Sequence, residues 1–245
     1  MKKHIPNLIT LLNLFSGCIA VLFAVTGDFV NAALFVFIGI FFDFFDGFFA
    51  RKFKVESDIG LQLDSLADMV TSGLVPGIVM FQLLRMTISS WTYEGSNSLL
   101  TFDFSNYNLI SYLPLLGFLI TLASAYRLAK FNIADNQSNN FIGLPTPANA
   151  LLILSLPLIL EYQNSDLMNS IIVNKGFLIV VTFLSCFMLN ANIKLLALKF
   201  QNFSFQDNAS RYILIVLSAV LLVLFHFAAI PLIIICYVII SLLNR

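Results

Sequence analysis

Long apolar stretches are the feature that most constrains the fold of this 245-residue chain. A helix needs roughly 20 apolar residues to cross the hydrocarbon core of a bilayer. Only 11% of the residues are charged, whereas soluble domains carry about 25%, so an ordinary cytosolic protein is excluded. The apolar stretches cover approximately residues 6–26, 29–51, 60–86, 109–131, 145–161, 171–192, 211–226 and 229–243. The sequence therefore predicts an all-α, polytopic membrane helical bundle that forms a single domain over residues 1–245.

The last two stretches are divided on the basis of length. Residues 211–243 are continuously apolar. A single α-helix of that length would extend about 50 Å, which is too long for one span without extreme tilt. His226 and Pro231 bracket a position for a turn, so we expect two short helices that form a hairpin.

Basic residues are distributed unequally between the two predicted sides of the membrane. Arg85 and Lys175 lie on one side, and the other eleven lie on the opposite side. Because cytoplasmic loops carry the excess of Lys and Arg, we expect both termini to face the cytoplasm and residues 87–108 to form an external loop. The chain has 13 basic and 13 acidic residues, so its net charge does not indicate a nucleic-acid partner. The eleven residues are Lys2, Lys3, Arg51, Lys52, Lys54, Arg127, Lys130, Lys194, Lys199, Arg211 and Arg245.

Four aspartates lie where a membrane protein carries charge only at a cost. Asp43 and Asp46 lie near the end of the second stretch, and Asp64 and Asp68 lie near the beginning of the third. An ionisable residue within or beside a spanning helix indicates a functional site. The spacings i,i+3 and i,i+4 place each pair on one helical face. Since the connection 52–59 is short, the two helices are expected to be antiparallel neighbours whose carboxylates face each other near the cytoplasmic surface.

Carboxylates that converge in this way favour a particular chemistry. In a low-dielectric site they repel one another unless protons or bound cations relieve the repulsion. Carboxylate oxygens without His or Cys favour Mg²⁺, Mn²⁺ or Ca²⁺ over Zn²⁺. Mg²⁺ commonly binds through a few carboxylates together with substrate phosphates, and such a set can bridge two divalent ions. The pattern therefore predicts a diphosphate-binding site that holds a divalent cation, Mg²⁺ or Mn²⁺, with room for two ions.

Small residues accompany the first aspartate pair. Gly47 and Ala50 share the helical face of Asp43, which leaves space for a ligand against the helix backbone. Arg51 follows and can pair with a phosphate or with an aspartate at the helix end. For the small residues, close packing of two helices is an alternative explanation.

The aspartates and the small residues together form an ordered run. It reads Asp43-x2-Asp46-Gly47-x2-Ala50-Arg51-x8-Gly60-x3-Asp64-x3-Asp68. At each of its defined positions the run resembles the signature of the CDP-alcohol phosphotransferase family. The resemblance implies a six-helix membrane core, followed here by about two further C-terminal helices. It also implies an enzyme that cleaves the diphosphate of a CDP-linked substrate, transfers the phosphoryl-bearing group to an alcohol and releases CMP.

The same resemblance implies roles for individual residues. Asp68 is the expected general base, since His4 begins the chain and His226 lies near the opposite membrane face. A homodimer is typical of the family. Asn7, Thr10 and Asn13, spaced i, i+3 and i+6, are expected to face the cytidine site. The implied metal ligands are Asp43, Asp46, Asp64 and Asp68, and the implied CDP contacts are Gly47, Ala50, Arg51 and Gly60.

Four further stretches narrow the acceptor alcohol. Residues 5–17, 63–76, 124–132 and 141–150 resemble the bacterial and archaeal phosphatidylserine synthases, a group within that family. This resemblance implies transfer of the phosphatidyl group from CDP-diacylglycerol to the hydroxyl of L-serine. It also implies a location in the cytoplasmic membrane of a prokaryote, with the active site facing the cytoplasm.

Three polar residues are candidates for binding the serine. Arg127 and Lys130 lie i,i+3 at the cytoplasmic end of the fourth stretch, and an arginine fork suits the serine carboxylate. Asn132 could receive the amino group or orient a phosphate. The preference for basic residues at cytoplasmic helix ends also explains Arg127 and Lys130, so both interpretations stay open.

The sequence leaves two other functions open. A sibling enzyme could use glycerol 3-phosphate or an inositol phosphate as acceptor, although an acceptor phosphate would favour a larger basic cluster than Arg127 and Lys130 provide. A cation transporter could use the aspartates as an ion path. Transporter sites usually lie near the bilayer midplane, whereas these aspartates lie beside the basic segment 51–54.

Overall fold

The computed structural model describes residues 4–92, 109–133, 141–196 and 205–243, and most of these residues are helical. The only strands among them are the two-residue β1 (Phe141–Ile142) and β2 (Lys194–Leu195), which pair antiparallel. The α-helices are α1 (Ile5–Thr26), α2 (Phe29–Phe53), α3 (Asp58–Asp68), α4 (Val75–Thr92), α5 (Phe118–Asn132), α6 (Thr146–Tyr162), α7 (Asp166–Ile172), α8 (Lys175–Asn190), α9 (Phe205–Phe225) and α10 (Ala229–Leu243).

Three segments depart from α-helical geometry at helix junctions. A π-helical segment (Met69–Leu74), called here the π-turn, joins α3 to α4 without a loop. A 3₁₀ helix (Leu109–Gly117) precedes α5, and another (His226–Ala228) separates α9 from α10. His226 has a left-handed φ of 46°, and α9 and α10 pack against each other. The turn between the last two helices therefore falls at His226, as the sequence predicts.

Membrane-spanning potential is spread along the whole chain. Five helical stretches of the described residues are long and apolar enough to cross a bilayer, and α7 with α8, bent by 60°, would make a sixth. The all-α polytopic membrane fold is therefore confirmed. The five are Ile5–Thr26, Phe29–Phe53, Asp58–Ile88, Ser111–Asn132 and Asn208–Leu243.

Parts of the predicted topology fall on residues that the structure leaves undescribed. The proposed external loop 87–108 is shorter at its start, because α4 continues to Thr92, and the rest of it lies outside the described residues. Four of the basic residues behind the predicted orientation also lie outside them: Lys2, Lys3, Lys199 and Arg245.

The interior of the bundle is built around α4. This helix packs against α1, α5, α6 and α8. Large side chains such as Val79, Met80 and Leu84 are fully buried there. Helices in lipid associate through van der Waals packing, and buried small residues such as Ala20 and Ala32 let α1 and α2 approach closely.

The polypeptide after α8 is held against the last helix. The Tyr237 hydroxyl donates to the Leu196 carbonyl at 3.0 Å, and the Leu196 N–H donates to the Ser241 hydroxyl at 3.1 Å. Leu144 and Leu195 pack with Leu214 and Tyr237 in a small second core. These contacts place β1, β2 and the beginning of α6 beside α10.

Candidate active site

The junction between α2 and α3 brings the two aspartate pairs together. Lys54 ends α2 in the left-handed region (φ 54°), and its N–H bonds back to the last turn of that helix. Ser57 begins α3 by accepting a hydrogen bond from the Gly60 N–H at 3.1 Å, a standard N-cap. Only residues 54–57 separate the helices, but α3 packs against α1 and α5 and not closely against α2, so the prediction of directly packed neighbours is wrong, although the aspartates of the two helices still face each other.

Three of the aspartates form a compact cluster. One carboxylate oxygen from each of Asp43, Asp64 and Asp68 lies within 4.8 Å of the other two. Asp46, on the same helix as Asp43, is 6% exposed and contributes its carboxylate to the cavity next to the cluster. The fold therefore brings together three of the four predicted residues, and Asp46 lies beside them, close enough to interact electrostatically with Asp64.

The electrostatics of this cluster favour a cation. Four carboxylates in a largely buried position repel each other, and the low local dielectric strengthens that repulsion. Within the described part of the chain, Asp46 Oδ2 and Asp64 Oδ1 are buried without a hydrogen-bond partner. Unpaired buried carboxylate oxygens are the ligands that Mg²⁺ and Mn²⁺ prefer, so the residues present fit a divalent ion.

A cavity of about 510 Å³ opens beside the cluster. This volume lies within the range of small-molecule sites, roughly 300–1,000 Å³. Eight lining residues are ones that the sequence singles out: Asn7, Thr10, Asp46, Gly47, Ala50, Arg51, Gly60 and Asp64. The other six, which sequence reasoning missed, are Pro6, Val55, Glu56, Ser57, Asp58 and Leu61. Most of these residues belong to the connection and to the first turn of α3. Any helix junction needs a polar loop with a capping residue, so the sequence does not distinguish these residues from an ordinary connection.

Gly47 and Gly60 lie close to polar side chains that also line the cavity. A Cβ on Gly47 would lie 3.3 Å from Arg51 Nη1. A Cβ on Gly60 would lie 3.2 Å from Ser57 Oγ and 3.3 Å from Asn7 Oδ1. The neighbours of both glycines are thus residues that line the cavity. Of the two explanations for the small residues, room for a ligand fits these contacts better than helix packing.

Helix direction explains which residues reach the cavity and which lie deeper. Tight connections make α2 antiparallel to both α1 and α3, so α1 and α3 run in the same direction. Asn7 therefore lies near Gly60, and Asn13, about 9 Å further along α1, lies near Asp68. Thr10 lies between them, with its hydroxyl beside the carboxylate of Asp46.

The polar residues of α1 thus divide between two places. Asn7 and Thr10 line the cavity, as expected for nucleotide contacts. Asn13 does not line it and instead donates from Nδ2 to Asp68 Oδ1 at 3.5 Å. The prediction that all three face one ligand therefore finds geometric support only for the first two.

The three candidates for serine binding occupy different environments. Arg127 lies close enough to Asp68 to interact with it electrostatically, and its Nε is buried without a partner among the described residues. Lys130 is exposed. Asn132 accepts a hydrogen bond from the Ser65 hydroxyl at 3.0 Å and donates to Gln62 Oε1 at 3.2 Å, which ties α5 to α3. Only Arg127 is brought directly to the aspartates.

The π-turn begins at the residue after Asp68. Its Thr71 hydroxyl donates to the Asn13 carbonyl at 3.3 Å, and the Gly73 carbonyl accepts from the Thr121 hydroxyl at 3.1 Å. The wider turn is thus hydrogen-bonded to both α1 and α5, and these bonds stabilise it. π-Helical segments are frequent at functional sites. The sequence gives no local sign of this one, because nothing in the apolar spacing marks the change of hydrogen-bond register.

Buried polar side chains also surround the π-turn. Ser72 lies in the turn, Ser124 in α5 and Asn149 in α6; all three are fully buried, and each has a side-chain polar atom without a partner in the described ranges. In the sequence, all three stand out only as polar residues inside apolar stretches, and none of them was predicted as a site residue.

Comparisons with known proteins support the family resemblance of the sequence. A profile of the CDP-alcohol phosphatidyltransferase family matches residues 3–243. The CDP-diacylglycerol–serine O-phosphatidyltransferase of Bacillus subtilis is 35% identical over 158 residues, which cover 63% of this chain and 75% of that protein. The enzyme of the same name from Methanocaldococcus jannaschii is 33% identical over 168 residues, or 69% of this chain and 66% of that protein. An archaetidylserine synthase of Methanothermobacter thermautotrophicus is 30% identical over 154 residues, or 62% of this chain and 56% of that protein.

Proposed function

The chain belongs to the CDP-alcohol phosphatidyltransferase family, and on this premise we propose that it transfers the phosphatidyl group of CDP-diacylglycerol to the hydroxyl of L-serine. The products are phosphatidylserine and CMP. The single observation that carries the proposal is the cluster of Asp43, Asp64 and Asp68 beside a cavity lined by the remaining signature residues. Membership of this family favours an enzyme over a cation transporter.

The aspartates are the proposed ligands for divalent ions. Asp43, Asp46, Asp64 and Asp68 would hold Mg²⁺ or Mn²⁺, and two ions are the proposed number. When bound, such ions neutralise charge on a diphosphate and lower the pKa of a coordinated hydroxyl group. The unpaired oxygens of Asp46 and Asp64 support this assignment, since a carboxylate buried without a partner is costly.

The cavity is the proposed nucleotide site. Arg51 is placed to pair with the diphosphate, and its guanidinium lies over Gly47 at the cavity wall. Asn7 and Thr10 supply polar groups for the cytidine, while Ala50 and Gly60 leave the space that a nucleotide needs.

Asp68 is the proposed general base. It would take the proton of the serine hydroxyl as that oxygen forms a bond to the lipid-bearing phosphorus. The bond between this phosphorus and the bridging oxygen of the diphosphate breaks, and CMP leaves with that oxygen. Asp68 is 9% exposed and lies between Asn13 of α1 and Arg127 of α5, so its carboxylate is enclosed on two sides.

Serine is the proposed acceptor for two reasons. The names of the relatives from Bacillus subtilis and Methanocaldococcus jannaschii specify serine. Arg127 lies beside Asp68, where its guanidinium can bind the carboxylate of serine while the hydroxyl faces the base. Lys130 and Asn132 remain proposed contacts at the same helix end, with Asn132 held by α3.

The same geometry supports a proposal for the membrane setting of the reaction. The cavity opens where α2 ends in Arg51, Lys52 and Lys54, and basic helix ends favour the cytoplasmic face. We place the site and both termini on the cytoplasmic side of a prokaryotic cytoplasmic membrane, in a chain that folds as one domain and forms a homodimer. The acyl chains would stay in the bilayer, against the exposed phenylalanines of α2 such as Phe41 and Phe44.

Purified protein in detergent or vesicles allows a direct test. We expect serine-dependent release of CMP from CDP-diacylglycerol, incorporation of labelled serine into lipid, and loss of both with EDTA that added Mg²⁺ or Mn²⁺ restores. CMP release that glycerol 3-phosphate or an inositol phosphate stimulates, but serine does not, would assign the chain to a sibling enzyme. Absence of CMP release with every acceptor would contradict the proposed reaction.

A further inference from the structure

Asn13 of α1 lies in surroundings that do not match its predicted role as a cytidine contact. It is fully buried, and its amide nitrogen lies 3.5 Å from Asp68 Oδ1. The cavity that holds Asn7 and Thr10 does not include it. Its position is therefore set by the aspartate cluster and not by the nucleotide cavity.

Packing of three helices leaves this side chain little freedom. The Thr71 hydroxyl of the π-turn donates to the Asn13 carbonyl at 3.3 Å. A Cβ on Gly39 of α2 would come within 2.8 Å of Asn13 Oδ1 and 2.6 Å of Thr71 Cγ2. A Cβ on Gly17 would collide with Thr71 Oγ1. Glycines on α1 and α2 thus allow the π-turn to press against Asn13, which fixes the direction of its amide.

The energetics of Asn13 do not fit a purely structural residue. Among the described residues, its Oδ1 is buried without a hydrogen-bond partner. Such an unpaired atom opposes folding, and an apolar side chain would avoid this cost. What the amide does supply is a hydrogen-bond donor to Asp68.

We propose that Asn13 is a positioning residue that orients the Asp68 carboxylate toward the acceptor hydroxyl, and that it does not contact the nucleotide. The inference rests on the proposed role of Asp68 as general base. An amide bonded to one carboxylate oxygen restricts rotation of the group and leaves the other oxygen to accept the proton. Positioning errors of about 1 Å can lower a rate about 100-fold without altering binding.

Two substitutions separate positioning from nucleotide binding. Asn13→Ala removes the amide, and Asn13→Asp keeps its shape but replaces the donor with an oxygen. Both are expected to lower kcat at least about tenfold, with the KM for CDP-diacylglycerol and the dissociation constant of CDP within about threefold of the wild-type values. The matched control is Ser16→Ala on the same helix, since Ser16 is equally interior but its hydroxyl bonds to the Leu12 carbonyl at 2.9 Å. This control is expected to keep the wild-type kcat.

The outcomes are distinct. An unchanged kcat in Asn13→Asp, or a loss confined to the KM for CDP-diacylglycerol and to CDP affinity, would overturn the inference. A fall in kcat accompanied by a thermal midpoint near that of the wild type supports positioning, since a merely structural asparagine would lose stability first. If Asn13→Ala does not fold, the isosteric Asn13→Asp decides. If the wild type uses an acceptor other than serine, the serine assignment fails on its own, and the same kcat comparison is made with that acceptor.

Discussion

The segments Asp58–Ile88 and Asn208–Leu243, the second of which contains the turn between α9 and α10, are enclosed by the protein to very different extents. In the first, 72% of an 18-residue apolar stretch is buried inside the protein, although the segment also carries Asp64 and Asp68. In the second, which is the more apolar of the two, only 17% is buried. The more apolar of the two segments is thus the one more exposed at the surface of the bundle, whereas the segment that carries the aspartates is enclosed by other helices. Substitutions should therefore affect the two spans in different ways.

The largest effect is expected from the aspartates of the buried span. Asp68→Asn keeps the shape of the side chain but removes the proposed base, which should lower kcat by about 10²–10⁴-fold. Asp43→Asn should likewise abolish transfer by removing a proposed metal ligand. CMP release by purified, folded variants measures both, and retained activity in Asp68→Asn would count against its assignment as base. Asp166→Asn, an exposed acid in the first turn of α7, is the control and should behave like the wild type.

The next effect concerns the cavity wall. Arg51→Ala should raise the KM for CDP-diacylglycerol about 10–100-fold, because a hydrogen bond to a charged group contributes about 1.5–3 kcal/mol. Arg51→Lys should recover only part of that loss, since lysine lacks the planar fork. Lys52→Ala is the matched control, because Lys52 lies over the Phe48 ring at 5.6 Å from its centroid. Equal KM values for the two alanine variants would refute a phosphate contact by Arg51.

A smaller effect is expected from filling the space at Gly47. The Cβ of Gly47→Ala would press on Arg51 Nη1, the mobile end of a long side chain, so we expect a KM rise of only a few-fold. Gly176→Ala, which places a Cβ at a similar 3.2 Å from Asn174 Oδ1 in α8, should leave kinetics unchanged. Steady-state kinetics of both variants provide the check. A Gly47→Ala enzyme with unaltered KM would mean that the ligand does not approach this glycine.

Substitutions of leucine in the two segments should differ in their effect on stability, and these substitutions should change activity least. Leu84 is fully buried and Leu224 is 65% exposed. Leu84→Ala should lower the free energy of unfolding by about 2–5 kcal/mol, because a cavity is left in the bundle. Leu224→Ala should change it by less than about 0.5 kcal/mol, since lipid fills the space. Thermal unfolding in detergent measures both; similar losses would show that α9 packs against protein over this face.

The aspartate site could be predicted from sequence because its signal is local. Acids in apolar stretches, their i,i+3 and i,i+4 spacings and a short connection determine that Asp43, Asp64 and Asp68 meet. The lining of the cavity follows from the same helix faces, as Gly47 and Gly60 show.

What could not be predicted depends on contacts between distant segments. The π-turn is stabilised by Thr121 and by its fit against Asn13, neither of which local spacing reveals. Asn7 and Asn13 are six residues apart, which separates them by about 120° around α1 and about 9 Å along it, and Asn13 therefore reaches Asp68 and not the cavity. Sequence periodicity gives the direction in which a side chain points around its own helix. It does not give the residue of the neighbouring helix that the side chain meets at each level along the axis.

Direct measurement of metal binding tests the central claim most sharply. Mn²⁺ titrated into the purified protein in the presence of CDP can be followed by electron paramagnetic resonance or calorimetry. We expect tight, stoichiometric binding in the wild type and its loss in Asp43→Asn and Asp64→Asn, with Asp166→Asn unchanged. Equal Mn²⁺ affinity in the wild type and both cluster variants would contradict a metal-holding role for these aspartates.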